Sequence, residues 1–441
     1  MYETSCRDED LIRKYDWSTA VLFRRGRVGD VLNRHHALAT LAVRAGMGAI
    51  RDAAPHLVRV IADARTMKLA WDYLARYGGA APGPNGHRFA RYSEAEAWER
   101  CRVLARTIRA GSYRPGGERI VMKQKESGNG ERPIVLMDIE DRVVQRAIVL
   151  VLQPLLDPLF DPRAFGFRPG RDYRHALVTA EWLAAEEGRW VWVSEDLKDA
   201  FSHVPVGRLL QVIRNLLPAD DLLDLLGIVV PAQSGHGLRQ GGSLSPLLLM
   251  VYLNKLLDRP WRRAHPDWPL VRVADDIVVL CRSDDEALGA YADLTNLLRP
   301  TGMLLKGKPE TAVFDLTTGE AAWLGLGVRR DGGRLALRMM ERSWRRLDRT
   351  LAEAHLKPRP TLRARATIRG WLAARGCCYP WADPDTVSGR VAETAAARGF
   401  DEIPGRRALL GVFRAAHARW CRFHAAQRER LAASASAVSM P

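Results

Sequence analysis

The chain has 441 residues, 47% of them hydrophobic and 27% charged, which is enough for two or three packed modules and too apolar for a disordered polymer. Its 67 Lys and Arg against 51 Asp and Glu leave a net charge of +16, which points to a polyanionic partner because each neutralised phosphate releases counterions, although a compositional Arg bias would also raise the pI. The six cysteines (Cys6, Cys101, Cys281, Cys377, Cys378 and Cys421) contain no C-x-x-C pair and suit neither a zinc clamp nor a disulfide framework, so reduced thiols are expected.

Residues 1–65 read as a helical extension without a motif, and the charged start MYETSCRDEDLIRKYDW lacks the apolar core of a secretory signal. A helical stretch from Thr66 ends in the breaker cluster Gly78–Gly86, and a second loop, Gly111–Gly117, leads into two short strands, Arg119–Lys123 and Arg132–Leu136. Val144, Ile148, Val151, Leu152 and Leu155 keep helical spacing, and the apolar run 147–156 is too short to span a bilayer. RWVWVSEDL (189–197) is an apolar strand running into carboxylates. A loop then caps an apolar helix over residues 222–257, and PLVRVADDIVVLCR (269–282) reads as a tight hairpin hinged on Asp275–Asp276. WLGLGVRRDGGRLAL (323–337) reads as a small hairpin. Helices follow, one with an apolar face of Phe413, Ala416, Trp420 and Phe423, and a small-residue tail closes the chain.

Phosphoryl transfer from a nucleoside triphosphate uses two divalent ions roughly 4 Å apart, held by carboxylates on rigid strands. Two places offer them: Asp196, with Glu195 beside it and Asp199 one turn on, and the pair Asp275–Asp276. Taken alone, two strands ending in Asp are also what ordinary turn chemistry produces.

The ordered series of motifs resembles reverse transcriptases, most of all those of bacterial group II introns and their stand-alone relatives. The series begins with GGAAPGPNG (78–86), RIVMKQKESGNGERPIVL (119–136), IEDRVVQRAIVLVLQPLLDPLF (139–160) and AFGFRPGRDYRHAL (164–177). It continues with SEDLKDAFSHV (194–204), GLRQGGSLSPLLLMVYLN (237–254), VRVADDIVVL (271–280), GMLLKGKPET (302–311) and WLGLGV (323–328). The resemblance covers about residues 70–330 and implies an α+β right hand. Its parts would be an N-terminal extension (1–65), fingers with the first palm elements (66–185), an antiparallel-sheet palm (186–330), a helical thumb (331–430) and a disordered tail (431–441).

Position by position, the resemblance assigns the catalytic metal triad to Asp196, Asp275 and Asp276. It assigns backbone contacts to the triphosphate to Asp199 and Ala200, and the gate against a ribose 2′-hydroxyl to Phe201. Lys123 and Arg132 match basic residues on the triphosphate, where a planar Arg fork suits phosphate oxygens. Gln240 and Gly241 match the loop along nucleotide and template. Three positions depart from the family: Val273 stands where Tyr is usual, Arg239 replaces Pro and adds charge near the template, and Glu310 takes the place of a Lys. That last change leaves Lys308 as the proton donor to pyrophosphate.

Arg329, Arg330, Arg334, Arg338, Arg342, Arg345, Arg346 and Arg349, with Trp344, Leu347 and Leu351 as an apolar stripe, suit a thumb helix gripping an RNA–DNA duplex; a solvated helix face is the alternative. The resemblance therefore implies an RNA-directed DNA polymerase using two Mg2+ ions, with Mn2+ able to substitute. Its partners would be dNTPs, an RNA template or structured non-coding RNA and a DNA product, in the cytoplasm and away from membranes. The chain ends before the endonuclease module of many intron relatives, and free-standing family members often belong to phage defence or other domesticated retroelements. A maturase-like RNA-binding protein is one alternative. Template-independent or protein-primed synthesis is another, which Val273 keeps open.

Overall fold

The computed structural model describes residues 48, 50–124, 130–231 and 237–438. Most of the expected N-terminal extension, residues 1–47 and 49, lies outside that set. Its remainder is helical and leads through α1 (Leu57–Ile61) into α2 (Ala64–Tyr77). The Asp63 carboxylate starts α2 by accepting the Arg65 N–H at 2.8 Å, one of the donors that a helix start leaves open. α3 (Glu94–Arg109) starts on a reciprocal pair, in which Glu96 accepts the Ser93 N–H while Ser93 Oγ accepts that of Glu96.

The two expected strands are β1 (Glu118–Gln124) and β2 (Glu131–Met137), paired antiparallel as a separate two-stranded sheet. α4 (Ile139–Leu156) follows and is buried along nearly all its length, including the stripe from Val144 to Leu155. Its buried Asp141 is answered within the protein, accepting from the Tyr113 hydroxyl at 2.5 Å and the Gly116 N–H at 2.9 Å.

A four-stranded antiparallel sheet forms the middle layer. Its strands are β3 (Val191–Asp196), β4 (Leu270–Val273), β5 (Asp276–Cys281) and β6 (Val313–Asp315), in the order β4-β5-β3-β6. Successive strand side chains face opposite ways, so the unbroken apolar runs of β3 and β5 bury both faces of this sheet. Val191, Val193, Ile277, Val279 and Cys281 pack into one core. With them are α4, α6 (Ala200–His203), α7 (Val206–Leu216), α8 (Asp220–Val229), α9 (Ser245–Leu253), α10 (Arg259–Ala264) and α11 (Asp284–Leu298), while α5 (Tyr173–Glu187) packs on the other face of the sheet. Trp192, Val271, Val278 and Leu280 pack into a second core, with α5 and the C-terminal third of the chain.

That third contributes a three-stranded sheet rather than the simple hairpin expected: β7 (Ala321–Trp323), β8 (Leu326–Asp331) and β9 (Arg334–Met339). The boundary expected at 330–331 therefore falls inside β8, and the helical part begins at α13 (Glu341–Ala354), after the short α12 (Pro309–Ala312) that precedes β6. α14 (Pro360–Ala374), α15 (Pro384–Ala396) and α16 (Arg406–Val438) complete it. Residues 431–438, expected as a disordered tail, instead continue α16, consistent with an Ala-rich sequence that loses little side-chain freedom in a helix. Cys101, Cys281, Cys377, Cys378 and Cys421 are free thiols, and burial pushes those of Cys101 and Cys281 up to about 12. Among the described residues, no helix is long and apolar enough to cross a membrane.

Candidate active site

β3 and β5 pair so that Asp196 lies directly opposite Asp276. β4 and β5 are joined through Ala274 and Asp275 alone, since Val273 already pairs with Asp276. Ala274 has φ of 60°, the left-handed conformation that two-residue hairpin turns demand and that a non-glycine residue adopts only where its surroundings hold it. Three neighbours do so here. The buried Arg272 donates to the Ala274 carbonyl at 2.7 Å while its Nε donates to Asp258 at 2.8 Å. The segment Arg163–Phe165 runs along β4, with Phe165 N–H on the Arg272 carbonyl at 2.8 Å and Arg272 N–H on that of Arg163 at 3.0 Å. Gly166 lies against the turn itself, where a Cβ would fall 2.1 Å from the Ala274 nitrogen. The Leu197 N–H then donates to the Asp275 carbonyl at 3.0 Å, fixing the turn to the end of β3.

The three carboxylates thus share one end of two neighbouring strands, and their electrostatics reflect it. Burial raises the Asp275 carboxyl above its ordinary range, with the Asp196 charge adding to the effect. Asp276 is raised further, first by burial, then by a hydrogen bond with Asp196 and by both neighbouring charges, against a modest opposing pull from Arg342 of α13. Among the described residues, no three His, Cys, Asp or Glu side chains form a ready-made metal cage. Magnesium is commonly held by one or two carboxylates, with water and phosphate oxygens completing the shell. Crowded carboxylates with raised proton affinity are the hard-oxygen set that a divalent cation relieves.

A lysine also reaches this cluster. The Lys306 ammonium is 3.4 Å from Asp196 Oδ2, and its segment is clamped by Lys306 N–H on the Asp196 carbonyl and Gly307 N–H on Glu195, both at 3.0 Å. Burial raises the Glu195 carboxyl, and these backbone donors oppose the rise. Lys308, the residue expected near the leaving group, instead opens the short α12 and exchanges hydrogen bonds with Thr311 through its backbone. Sequence spacing missed Lys306 because nothing local ties it to Asp196, 110 residues away.

The remaining expected residues lie on connected elements. Asp199, at φ 42°, and Ala200 open α6, while Phe201 is half-buried edge-on against Phe167, ring centres 6.1 Å apart. The Phe201 carbonyl accepts the Leu238 N–H at 2.7 Å, and the Gln240 carbonyl accepts the Val135 N–H of β2 at 2.8 Å. Gly241, at φ 106°, takes a conformation that favours glycine, and an added Cβ would come within 3.1 Å of Ile134 and Val135. Lys123 and Arg132 face each other across the β1–β2 ladder, and the buried Arg132 Nε has no hydrogen-bond partner among the described residues. Arg239 corrects an expectation: it is 6% exposed and paired with Glu118 at 2.5 Å, so its charge is neutralised within the protein and not offered to a template. In α13, Trp344, Leu347 and Leu351 are buried as the stripe implied, and Arg342 and Arg345 are exposed.

Comparison with known proteins bears on this site. The sequence profile described as "Reverse transcriptase (RNA-dependent DNA polymerase)" matches residues 123–327. Protein YkfC of Escherichia coli (strain K12) is 29% identical over 195 residues, which are 41% of this chain and 50% of that protein. The group II intron-encoded protein LtrA of Lactococcus lactis subsp. cremoris is 27% identical over 169 residues, 36% of this chain and 28% of that one. The chain thus spans half or less of these relatives. A solved "Cas6-RT-Cas1--Cas2 complex" overlaps with a TM-score of 0.35 at 19% identity, over 55% of this chain and 26% of that one.

Proposed function

We propose that residues 123–327, which match the reverse transcriptase profile, form a polymerase domain similar to that of group II intron-encoded proteins, and that the chain is an RNA-directed DNA polymerase that builds DNA from dNTPs on an RNA template. The observation that carries this reading is the register of Asp196 against Asp276, with Asp275 in the adjoining two-residue turn. Two Mg2+ ions held by Asp196, Asp275 and Asp276 would supply charge neutralisation at the attacking and leaving oxygens. The protein's own groups do the rest. Lys123 and Arg132 hold the triphosphate, for which a planar Arg fork suits phosphate oxygens. The backbone at Asp199–Ala200 lies along the same phosphates, and Phe201 closes the space that a 2′-hydroxyl would need. Gln240 and Gly241 line the nucleotide and template. Pyrophosphate departs as the 3′-oxygen bonds to the α-phosphorus, and a proton on the leaving group favours its departure. Lys306, beside Asp196, is better situated for that role than Lys308.

The exposed arginines of α13 and the net charge of +16 support a grip on nucleic acid backbone. We extend the reading to a dedicated structured RNA and a role in phage defence, with residues 1–65 contributing to selection of that RNA. Purified protein given a defined RNA template, a DNA primer, dNTPs and Mg2+ should make DNA complementary to the template and stop when the ion is chelated. Extension that ignores the template sequence would contradict RNA-directed synthesis. Sequencing of co-purifying RNA should return one dominant species; a random sample would remove the dedicated RNA.

A further inference from the structure

The segment Gly237–Gly241 ties several parts of the molecule together in succession. Gly237, at φ 67°, sits so close to Ser202 that a Cβ would fall 2.5 Å from its carbonyl oxygen. Leu238 binds the Phe201 carbonyl through its N–H, and Gln240 and Gly241 lie against Val135 of β2. Between them stands the Arg239 guanidinium. Its Nε donates to the Glu118 carboxylate at 2.5 Å, one terminal nitrogen donates to the carbonyls of Val229 at 2.5 Å and Val230 at 2.9 Å, and the other donates to the carbonyl of Pro231.

Each partner has a defined place. Val229 ends α8, and a helix end presents carbonyls without intrahelical donors and with partial negative charge, which a cationic fork answers. Glu118 begins β1, the strand that carries Lys123. The side chains of Arg239 and Glu118 are 6% and 8% exposed, so either charge without the other would be stranded away from water. A planar fork reaches these four acceptors at once, whereas a lysine would offer a single point charge.

We propose that the Arg239–Glu118 pair is a positioning clasp that sets the separation between the triphosphate-binding hairpin and the sugar gate at Phe201. Nucleotide affinity and sugar choice then depend on two buried side chains that lie among protein groups. The inference rests on the polymerase reading above. Arg239 and Glu118 are positioning residues, and their effect reaches the nucleotide through β1, β2 and the loop.

Three variants test it: Glu118→Gln, Arg239→Lys and the double variant Glu118→Met/Arg239→Met. Single-nucleotide incorporation with dTTP and UTP, primer–template affinity, melting temperature and amide hydrogen exchange across 118–124 and 131–137 are measured for each. Glu118→Gln should raise the KM for dTTP about tenfold, because small misplacements far from the chemistry are costly. Its kcat and primer–template Kd should stay within about twofold, discrimination against UTP should fall, and the hairpin amides should exchange faster. Arg239→Lys should show the same pattern, since one ammonium cannot hold Glu118 and the end of α8 together. In the double variant, apolar side chains restore much of the melting temperature while KM stays raised. A KM that returns to wild type along with melting temperature would reduce the pair to a structural role and overturn the proposal. So would Glu118→Gln with unchanged KM, sugar discrimination and exchange. A wild-type chain that extends no primer would instead sink the polymerase reading, and the exchange measurement would still judge the clasp.

Discussion

On the polymerase reading, replacing Gly166 by Ala should abolish most nucleotide incorporation from outside the carboxylate cluster. The added Cβ would lie 2.1 Å from the Ala274 nitrogen, 2.7 Å from its Cα and 3.0 Å from its Cβ, where ordinary contact begins at 3.4 Å. The closest atoms are backbone, so no rotamer change relieves the clash, and the two segments must separate by about 1.3 Å. Ala274 is one of the two residues of the turn, next to Asp275, and its left-handed φ leaves little freedom to follow. Overpacking of this kind costs about 1–3 kcal/mol of stability, and a shift of about 1 Å at a reacting centre costs roughly a hundredfold in rate. Steady-state incorporation of a single dNTP should therefore show kcat reduced about a hundredfold with primer–template Kd nearly unchanged. Gly207→Ala is the control: nothing lies within 4 Å of its Cβ position in α7, and helix propensity favours Ala by about 1 kcal/mol. Near wild-type kcat in Gly166→Ala, with its melting temperature unmoved, would refute the view that this glycine sets the position of the turn.

Other outcomes follow from the same geometry. The raised carboxyls of Asp275 and Asp276 mean that the metal-free native state holds protons more tightly than the unfolded chain. That stabilisation is full below about pH 3.8 and is lost as pH rises through the raised values, so Asp276→Asn should raise the neutral-pH melting temperature of metal-free protein and blunt its rise on adding Mg2+; a lower melting temperature would argue against this carboxylate crowding. Phe201→Ala should admit ribonucleotides about tenfold better or more while changing dNTP use less, as read by paired incorporation assays; unaltered discrimination would return Phe201 to a packing role against Phe167. Lys306→Ala should lower kcat about a hundredfold, and Lys308→Ala should leave it within about twofold; the reverse order would restore Lys308 as the donor.

Three of the four strands of the middle sheet, β3, β4 and β5, were legible because their information is local, whereas β6 was not read. Val191 to Val193 and Ile277 to Cys281 are unbroken apolar runs ending or beginning at Asp, and both faces of that sheet are buried. The strands around Lys123 and Arg132 were likewise visible from the Gly/Asn turn between them, and the register makes the two residues direct partners. What escaped depends on contacts between distant segments. The burial of Arg239 requires Glu118, 121 residues away, so its charge reads as exposed until the fold pairs it. The role of Gly166 appears only when Arg163–Phe165 lies along β4, and no pattern within 164–177 announces that pairing. Lys306 joins the carboxylates through backbone bonds to Glu195 and Asp196. Residues 431–438 were misjudged for a different reason: small residues suit both a tail and a helix, and here α16 runs on through them.

Primer extension on a defined RNA template by the wild-type chain and by Asp275→Asn/Asp276→Asn is the most direct test of the central claim. Asn keeps the size and polarity of Asp and removes the negative charge that would hold the ions. The wild type should copy the template into DNA. The double variant should incorporate no dNTP above background while keeping its RNA affinity and a melting temperature at least equal to wild type, since the crowded charges are gone. Extension by the double variant at a rate near wild type would show that Asp196, Asp275 and Asp276 are not the catalytic centre.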